Sequence, residues 1–318
     1  MSDAMSRKSD AVSRKAKGMK NILVTGACGQ LGSEFRYLSG DMQDRHPINK
    51  EGVEGFNFMF TTRKELDIEN SLQVSDFCRR NEVDVVVNCA AYTAVDKAEQ
   101  ESERAEAINH LAVRSLAKIA KDQGIALIHV STDYVFDGTT HRPYKEFDAP
   151  SPQSVYGKTK LDGELAIQKI NPANSIIIRT SWVYSEFGNN FVKTMLRLGQ
   201  ERDELSVVCD QVGTPTNARD LAGAILKIIP QLLEGALKNE NVEVYHYSNA
   251  GVCSWYDFAS SIFELYGIEC KVIPISSEAY PTPVKRPYYS VMDKGKIVEE
   301  FNLGVQHWRT SLSQLSLN

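Results

Sequence analysis

One stretch near the start constrains the fold more than any other. In "NILVTGACGQLG" (21–32) an aliphatic run of strand character ends in a glycine-rich turn, and the chain beyond it takes up helical periodicity. Glycines at 26, 29 and 32 let the backbone turn sharply and approach an anion, and the first N–H groups of the following helix lack partners, so this corner suits a pyrophosphate. A glycine-rich corner with no ligand would look the same locally. The rest of the chain decides between the two.

Four more apolar runs follow: "FNFMFT" (56–61), "DVVVNCA" (84–90), "IALIHVS" (125–131) and "SIIIRTSW" (175–182). Strands that are apolar throughout are buried on both faces, as parallel strands are. Between them the spacing predicts helices near 31–39, 70–80, 99–123 and 153–170; the third opens with acids and closes on lysine before Gly124. Strand and helix in alternation predict an α/β fold, a doubly wound parallel sheet of Rossmann type. After residue 183 the alternation loosens and prolines appear at 215, 230, 274, 281, 283 and 287, which predicts a smaller C-terminal substrate-binding region. The run "NVEVYHYS", centred on 242–248, is expected to return to the main sheet. The division is therefore a disordered extension over 1–18, an NAD(P)-binding domain over 19–182 with roughly 218–250, and a substrate-binding domain over 183–217 with roughly 251–318.

The chain has 318 residues, 42% of them hydrophobic, enough for a large core. A net charge of -5 argues against nonspecific nucleic-acid binding. The six cysteines (Cys28, Cys78, Cys89, Cys209, Cys253, Cys270) form no C-x-x-C and keep no zinc spacing with histidine, so they read as buried thiols in a reducing compartment, with no metal site. No apolar run approaches the roughly 20 residues of a membrane span, and the polar, basic start has no signal-peptide core. These features together predict a cytoplasmic protein without membrane or nucleic-acid partners.

The second strand runs into "TTRKE", where an acid would favour a free ribose hydroxyl and a cation a 2'-phosphate. Arg63 and Lys64 thus favour NADPH, with NADH as the alternative if both are simply solvated. The fourth strand runs into "STDYVFDG" (131–138), which puts the hydroxyls of Ser131 and Thr132 at the carboxyl end of the sheet, where ligands bind. In "SVYGKTK" (154–160), Tyr156 and Lys160 stand one helical turn apart. Such a spacing arises about once by chance in a chain of this composition. Loop, strand-end hydroxyl and pair in this order are far less common. A phenol near pKa 10 exchanges protons poorly at neutral pH, but an adjacent ammonium and an oxidised nicotinamide favour the phenolate; lowering it by about 3 units takes about 4 kcal/mol.

With "ILVTGACGQLG", "VVVNCAAYTAVDKAE" (85–99), "VSTDYVFDG", "YGKTKLDGE", "IIRTSWVYSEFGNNFVKTML", "CDQVGTPTNARDLA" and "RPYYSVMD", the chain resembles the extended short-chain dehydrogenase/reductases, in their sugar-nucleotide reductase branch, from Met19 onward. The resemblance implies NADPH-dependent reduction of the 4-keto group of dTDP-4-dehydro-β-L-rhamnose to dTDP-L-rhamnose, a cell-surface polysaccharide precursor. The substrate is then a dTDP-sugar, and a homodimer is an allowed assembly. Tyr156, Lys160 and Thr132 become catalytic. Cofactor contacts fall on Gly26, Gly29, Gln30, Leu31, Gly32, Arg63, Asp67, Ile68, Ala91, Tyr92, Thr93, Tyr156 and Lys160. Substrate contacts fall on Thr132, Asp133 and Trp182. Arg286 is either a diphosphate ligand or a solvated loop residue; Asp67 could instead cap a helix, and Trp182 could be core. Glu34 matches a glutamate that binds Mg2+ at a subunit interface in some relatives. A dehydratase would carry glutamate where Tyr134 stands, and a non-catalytic regulatory subunit would not need Thr132, Tyr156 and Lys160 together.

Overall fold

The apolar runs pair side by side because β-branched residues buried on both faces exclude water from every ladder. In the computed structural model, which describes residues 18–42, 53–235, 237 and 240–316, six strands form the main sheet. They are β1 (Lys20–Thr25), β2 (Phe56–Thr61), β3 (Val85–Asn88), β4 (Ala126–Thr132), β5 (Ile176–Thr180) and β6 (Glu243–His246). All pairings are parallel, in the order β6-β5-β4-β3-β1-β2. The late run "NVEVYHYS" supplies β6, as expected. The 1–18 extension lies outside the described residues but for Gly18.

Alternate side chains cover the two faces. Ile22, Val24, Val85, Val87, Ile128, Ile176 and Ile178 pack with α1 (Gln30–Ser39) and α5 (Ala218–Leu233), whereas Leu23, Val86, Leu127, Ile177 and Val244 pack with α2 (Ser71–Arg80), α3 (Val113–Gln123) and α4 (Val155–Ile170). Each such side chain contributes roughly 1.5–3 kcal/mol through burial. A third cluster, around Tyr184, Val192, Phe258, Ile262 and Trp308, belongs to the later chain, where the strands Glu204–Val208 and Lys271–Ile275 pair in parallel.

Two elements differ from expectation. The helix expected over 99–123 consists of Ser102–Glu106, a π-helical segment Ala107–Ala112 and α3, ending as expected at Gly124 in the left-handed conformation. The wide turn carries Asn109, whose side chain is committed to the neighbouring loop, and π turns recur at functional sites. The strand expected to reach residue 182 stops at Thr180, because Trp182 takes φ +48° and turns the chain away; Val183–Tyr184 then pairs with Thr216–Asn217.

Candidate active site

Strand order reverses between β1 and β3, and a crevice opens there at the carboxyl ends of the strands. The backbone of Gly26 lies against the chain leaving β3: with φ +67°, it has no room for a Cβ, which would stand 2.7 Å from Ala90 N. Gly32 packs as tightly, a Cβ there falling 2.4 Å from Gly26 O. Gly29 caps α1 with no side chain on the helix's first N–H groups, leaving them for an anion. The crevice has a volume of about 550 Å³.

Of the expected cofactor residues, Gly26, Gly29, Arg63, Asp67, Ile68, Ala91, Tyr92 and Thr93 line this cavity. Leu31 and Gly32 lie beneath it as buried packing, and Gln30 reaches away to Val183 O at 3.4 Å. Arg63 is not a free cation: it pairs with Glu69 at 2.6 Å and with Asp67 at 3.6 Å. Asn70, rather than Asp67, caps α2. Lys64 is exposed and off the cavity wall. Lys97, Glu101 and Arg104 also line the cavity and were not anticipated, since short polar helices give no distinctive sequence pattern.

Asn109 was also missed. Its amide accepts from Tyr92 N at 2.9 Å and donates to Tyr92 O at 3.0 Å, so the π turn fixes the cavity wall; it also donates to Thr159 Oγ1 at 3.3 Å on α4. An asparagine inside a helical pattern is the one sequence signal that could have flagged it.

Thr132, at the end of β4, donates to Asp133 Oδ1 at 3.1 Å and accepts from Tyr134 N at 3.2 Å. Burial pushes the Tyr156 phenol up to about 12, Thr132 works against this, and Asp133 adds to it. The expected lowering by Lys160 is absent. The Lys160 ammonium lies beneath, 2% exposed, donating to Val130 O at 2.6 Å and facing His129 Nε2 at 3.3 Å. Burial pulls it down to about 8, opposed by Glu164 and by Cys89. Ser131, expected to face substrate, instead donates to Glu164, because successive strand residues point to opposite faces.

On the substrate side, Asp133 is buried, its Oδ2 has no hydrogen-bond partner, and burial raises its carboxyl to about 6. Trp182 stacks on Trp255 with ring centroids 3.5 Å apart. Arg286 is no solvated loop residue. It pairs with Asp96 at 2.5 Å and, with Tyr134, lines a second cavity of about 150 Å³. Tyr134 meets the Tyr156 ring edge-on at 5.5 Å. Glu34 does not fit a metal: Ser185 donates to one oxygen at 2.6 Å and Arg219 to the other at 2.9 Å in a fully buried site.

All six cysteines are free, but only Cys78, Cys253 and Cys270 are buried as expected, Cys89 being half-buried and Cys28 and Cys209 exposed; no helix among the described residues is long and apolar enough to cross a membrane. The family model named RmlD substrate binding domain matches residues 19–317. A dTDP-4-dehydrorhamnose reductase of Sinorhizobium fredii is 43% identical over 257 residues, covering 80% of this chain and 86% of that one. The solved dTDP-4-dehydrorhamnose reductase of Clostridium acetobutylicum is 42% identical with TM-score 0.82, covering 92% of this chain and 97% of that one. That of Bacillus anthracis, in complex with NADP, is 36% identical with TM-score 0.81, covering 93% and 98%.

Proposed function

Because the chain belongs to the RmlD substrate binding domain family, we propose that it reduces the 4-keto group of dTDP-4-dehydro-β-L-rhamnose to dTDP-L-rhamnose with NADPH. The carrying observation is a buried phenol, in one cluster with Tyr92 of the crevice wall, beside a crevice whose glycine floor excludes any side chain.

The residues present fit a dinucleotide. Gly26, Gly29 and the open N-terminus of α1 would take the pyrophosphate, Asp67 and Ile68 the adenine side, Ala91, Tyr92 and Thr93 the far wall, and Lys160 the ribose nearest the nicotinamide. When bound, NADPH supplies the hydride. Tyr156 gives its proton to the alkoxide that forms. A phenol held near 12 is protonated at neutral pH, which is the state a donor starts from. Thr132 works against the effect of burial on that phenol and so eases release of the proton, while Lys160 serves through the ribose it would hold. The preference for NADPH rests on Arg63, which a 2'-phosphate would draw from Glu69 and Asp67, and on the NADP in the Bacillus anthracis relative. Asp133, Trp182 and Arg286 are assigned to substrate, Arg286 exchanging Asp96 for the diphosphate.

Tyr134 favours a reductase over a dehydratase. Its phenol is half-buried, is pushed up by desolvation, and cannot take the part of a carboxylate in removing water.

Oxidation of NADPH with a dTDP-4-keto-6-deoxy sugar generated in place tests the reading, against the GDP and UDP equivalents and against NADH. The dTDP sugar with NADPH is expected to be fastest; no oxidation with it would overturn the assignment. Tyr156→Phe is expected to lower turnover at least ~100-fold while leaving cofactor affinity within about twofold. Turnover near that of the wild type would remove Tyr156 as donor.

A further inference from the structure

A buried row of polar side chains crosses the sheet beneath Lys160. Thr25, Asn88 and His129 are direct partners in the parallel register of β1, β3 and β4, so their side chains stand in line. Thr25 Oγ1 donates to Asn88 Oδ1 at 2.7 Å, Asn88 Nδ2 lies 3.0 Å from His129 Nδ1, and His129 Nε2 lies 3.3 Å from Lys160 Nζ. The four are between 0% and 2% exposed.

We propose that His129 is a positioning residue for Lys160: its neutral imidazole accepts a hydrogen bond from the ammonium through Nε2, while Asn88 and Thr25 hold the ring. The inference rests on the reading of Lys160 as the charged group beside Tyr156.

The proton count selects the tautomer. An ammonium has only donors, so Nε2 must offer its lone pair and the ring proton must sit on Nδ1. Nδ1–H then needs an acceptor, so the Asn88 amide, which presents Nδ2 to the ring and Oδ1 to Thr25, must be turned over: its oxygen then accepts from Nδ1–H and its nitrogen donates to Thr25 Oγ1. The two amide orientations have the same shape, and the charge on Lys160 decides between them. Burial, and next the Lys160 charge, push the His129 pKa well down, so the ring stays neutral. A second cation does not form there.

The other groups facing Lys160 do not take over this task. Glu164, on its own helix, is occupied by Arg179 and Ser131; Cys89, beyond β3, is a thiol that burial keeps protonated; Tyr156 is a neutral phenol; Val130 offers one carbonyl. Without His129 the buried ammonium loses an acceptor and its pKa falls further.

Nitrogen-15 NMR of the purified wild-type chain reads the tautomer directly, with His129→Gln to assign the signal. A neutral ring protonated at Nδ1 is expected from pH 6 to 8; a ring protonated at Nε2, or an imidazolium, overturns the proposal. In turnover assays His129→Leu is expected to move the alkaline limb at least about one pH unit lower. His129→Gln, whose side-chain oxygen can take the place of Nε2, is expected to keep it. A folded His129→Leu with an unmoved limb overturns the proposal, as does an equal shift in both variants. If His129→Leu does not fold, His129→Gln and the tautomer still decide. The NMR result needs no substrate, so a wrong sugar assignment and a wrong role for His129 give different outcomes.

Discussion

Changing Glu164 to glutamine tests how the catalytic helix is fixed to the sheet. Arg179 Nε lies 3.0 and 3.1 Å from the two carboxylate oxygens, and Nη2 lies 2.6 Å from the second. Ser131 donates to the first oxygen, and the two side chains are 4% and 1% exposed. Glutamine keeps shape, volume and one acceptor oxygen but removes the charge, leaving a buried guanidinium without its counter-ion, with the Phe136 ring 5.0 Å away for partial compensation. Breaking a buried pair from one side costs about 3–5 kcal/mol. At about 2.1 cal/mol/K per residue, a chain of this size unfolds with an entropy of roughly 0.7 kcal/mol/K, so the melting temperature should drop about 4–7 °C. The assay is thermal unfolding of Glu164→Gln beside Glu164→Leu/Arg179→Met, which removes both charges and should recover most of the loss. The drop should be nearly the same in low and high salt, because the pair is out of reach of screening. A drop below about 2 °C, or a double variant less stable than the single one, would refute the reasoning.

Gly26→Ala should weaken dinucleotide binding at least ~10-fold, measured by NADPH fluorescence titration, since the added methyl meets Ala90 N at 2.7 Å in a left-handed backbone; unchanged affinity would count against the crevice. Asp133→Asn should trade activity for stability. Its folded-state carboxyl is raised to about 6, above the unfolded value, so the penalty for holding it charged is present above about pH 6 and disappears as pH falls toward about 4. The variant should therefore gain about 2–3 kcal/mol at pH 7.5 and almost nothing near pH 4, with a raised KM, as read by thermal unfolding and NADPH oxidation. A gain independent of pH would rule out the charge as its cause.

The parallel sheet, the corner at Gly26 and the Tyr156–Lys160 pair were legible because each is a local pattern. A strand buried on both faces must be apolar along its length, a backbone approached closely must be glycine, and two residues one turn apart share a helix face. Less legible were Asn109, which looks like any polar residue in a helix until the π turn aims it at Tyr92, and Arg63, whose acidic partners stand further along the chain.

By itself, the sequence determined the order of elements, the dinucleotide corner and the set of reacting groups. Only the tertiary structure decided their electrical state. Tyr156 rises to about 12 instead of falling, Lys160 gives its hydrogen bonds to Val130 and His129, and Ser131 turns from the substrate to Glu164. The reason is physical: a group's charge depends on how much water is removed and which dipoles replace it, and those neighbours come from strands and helices distant in the chain.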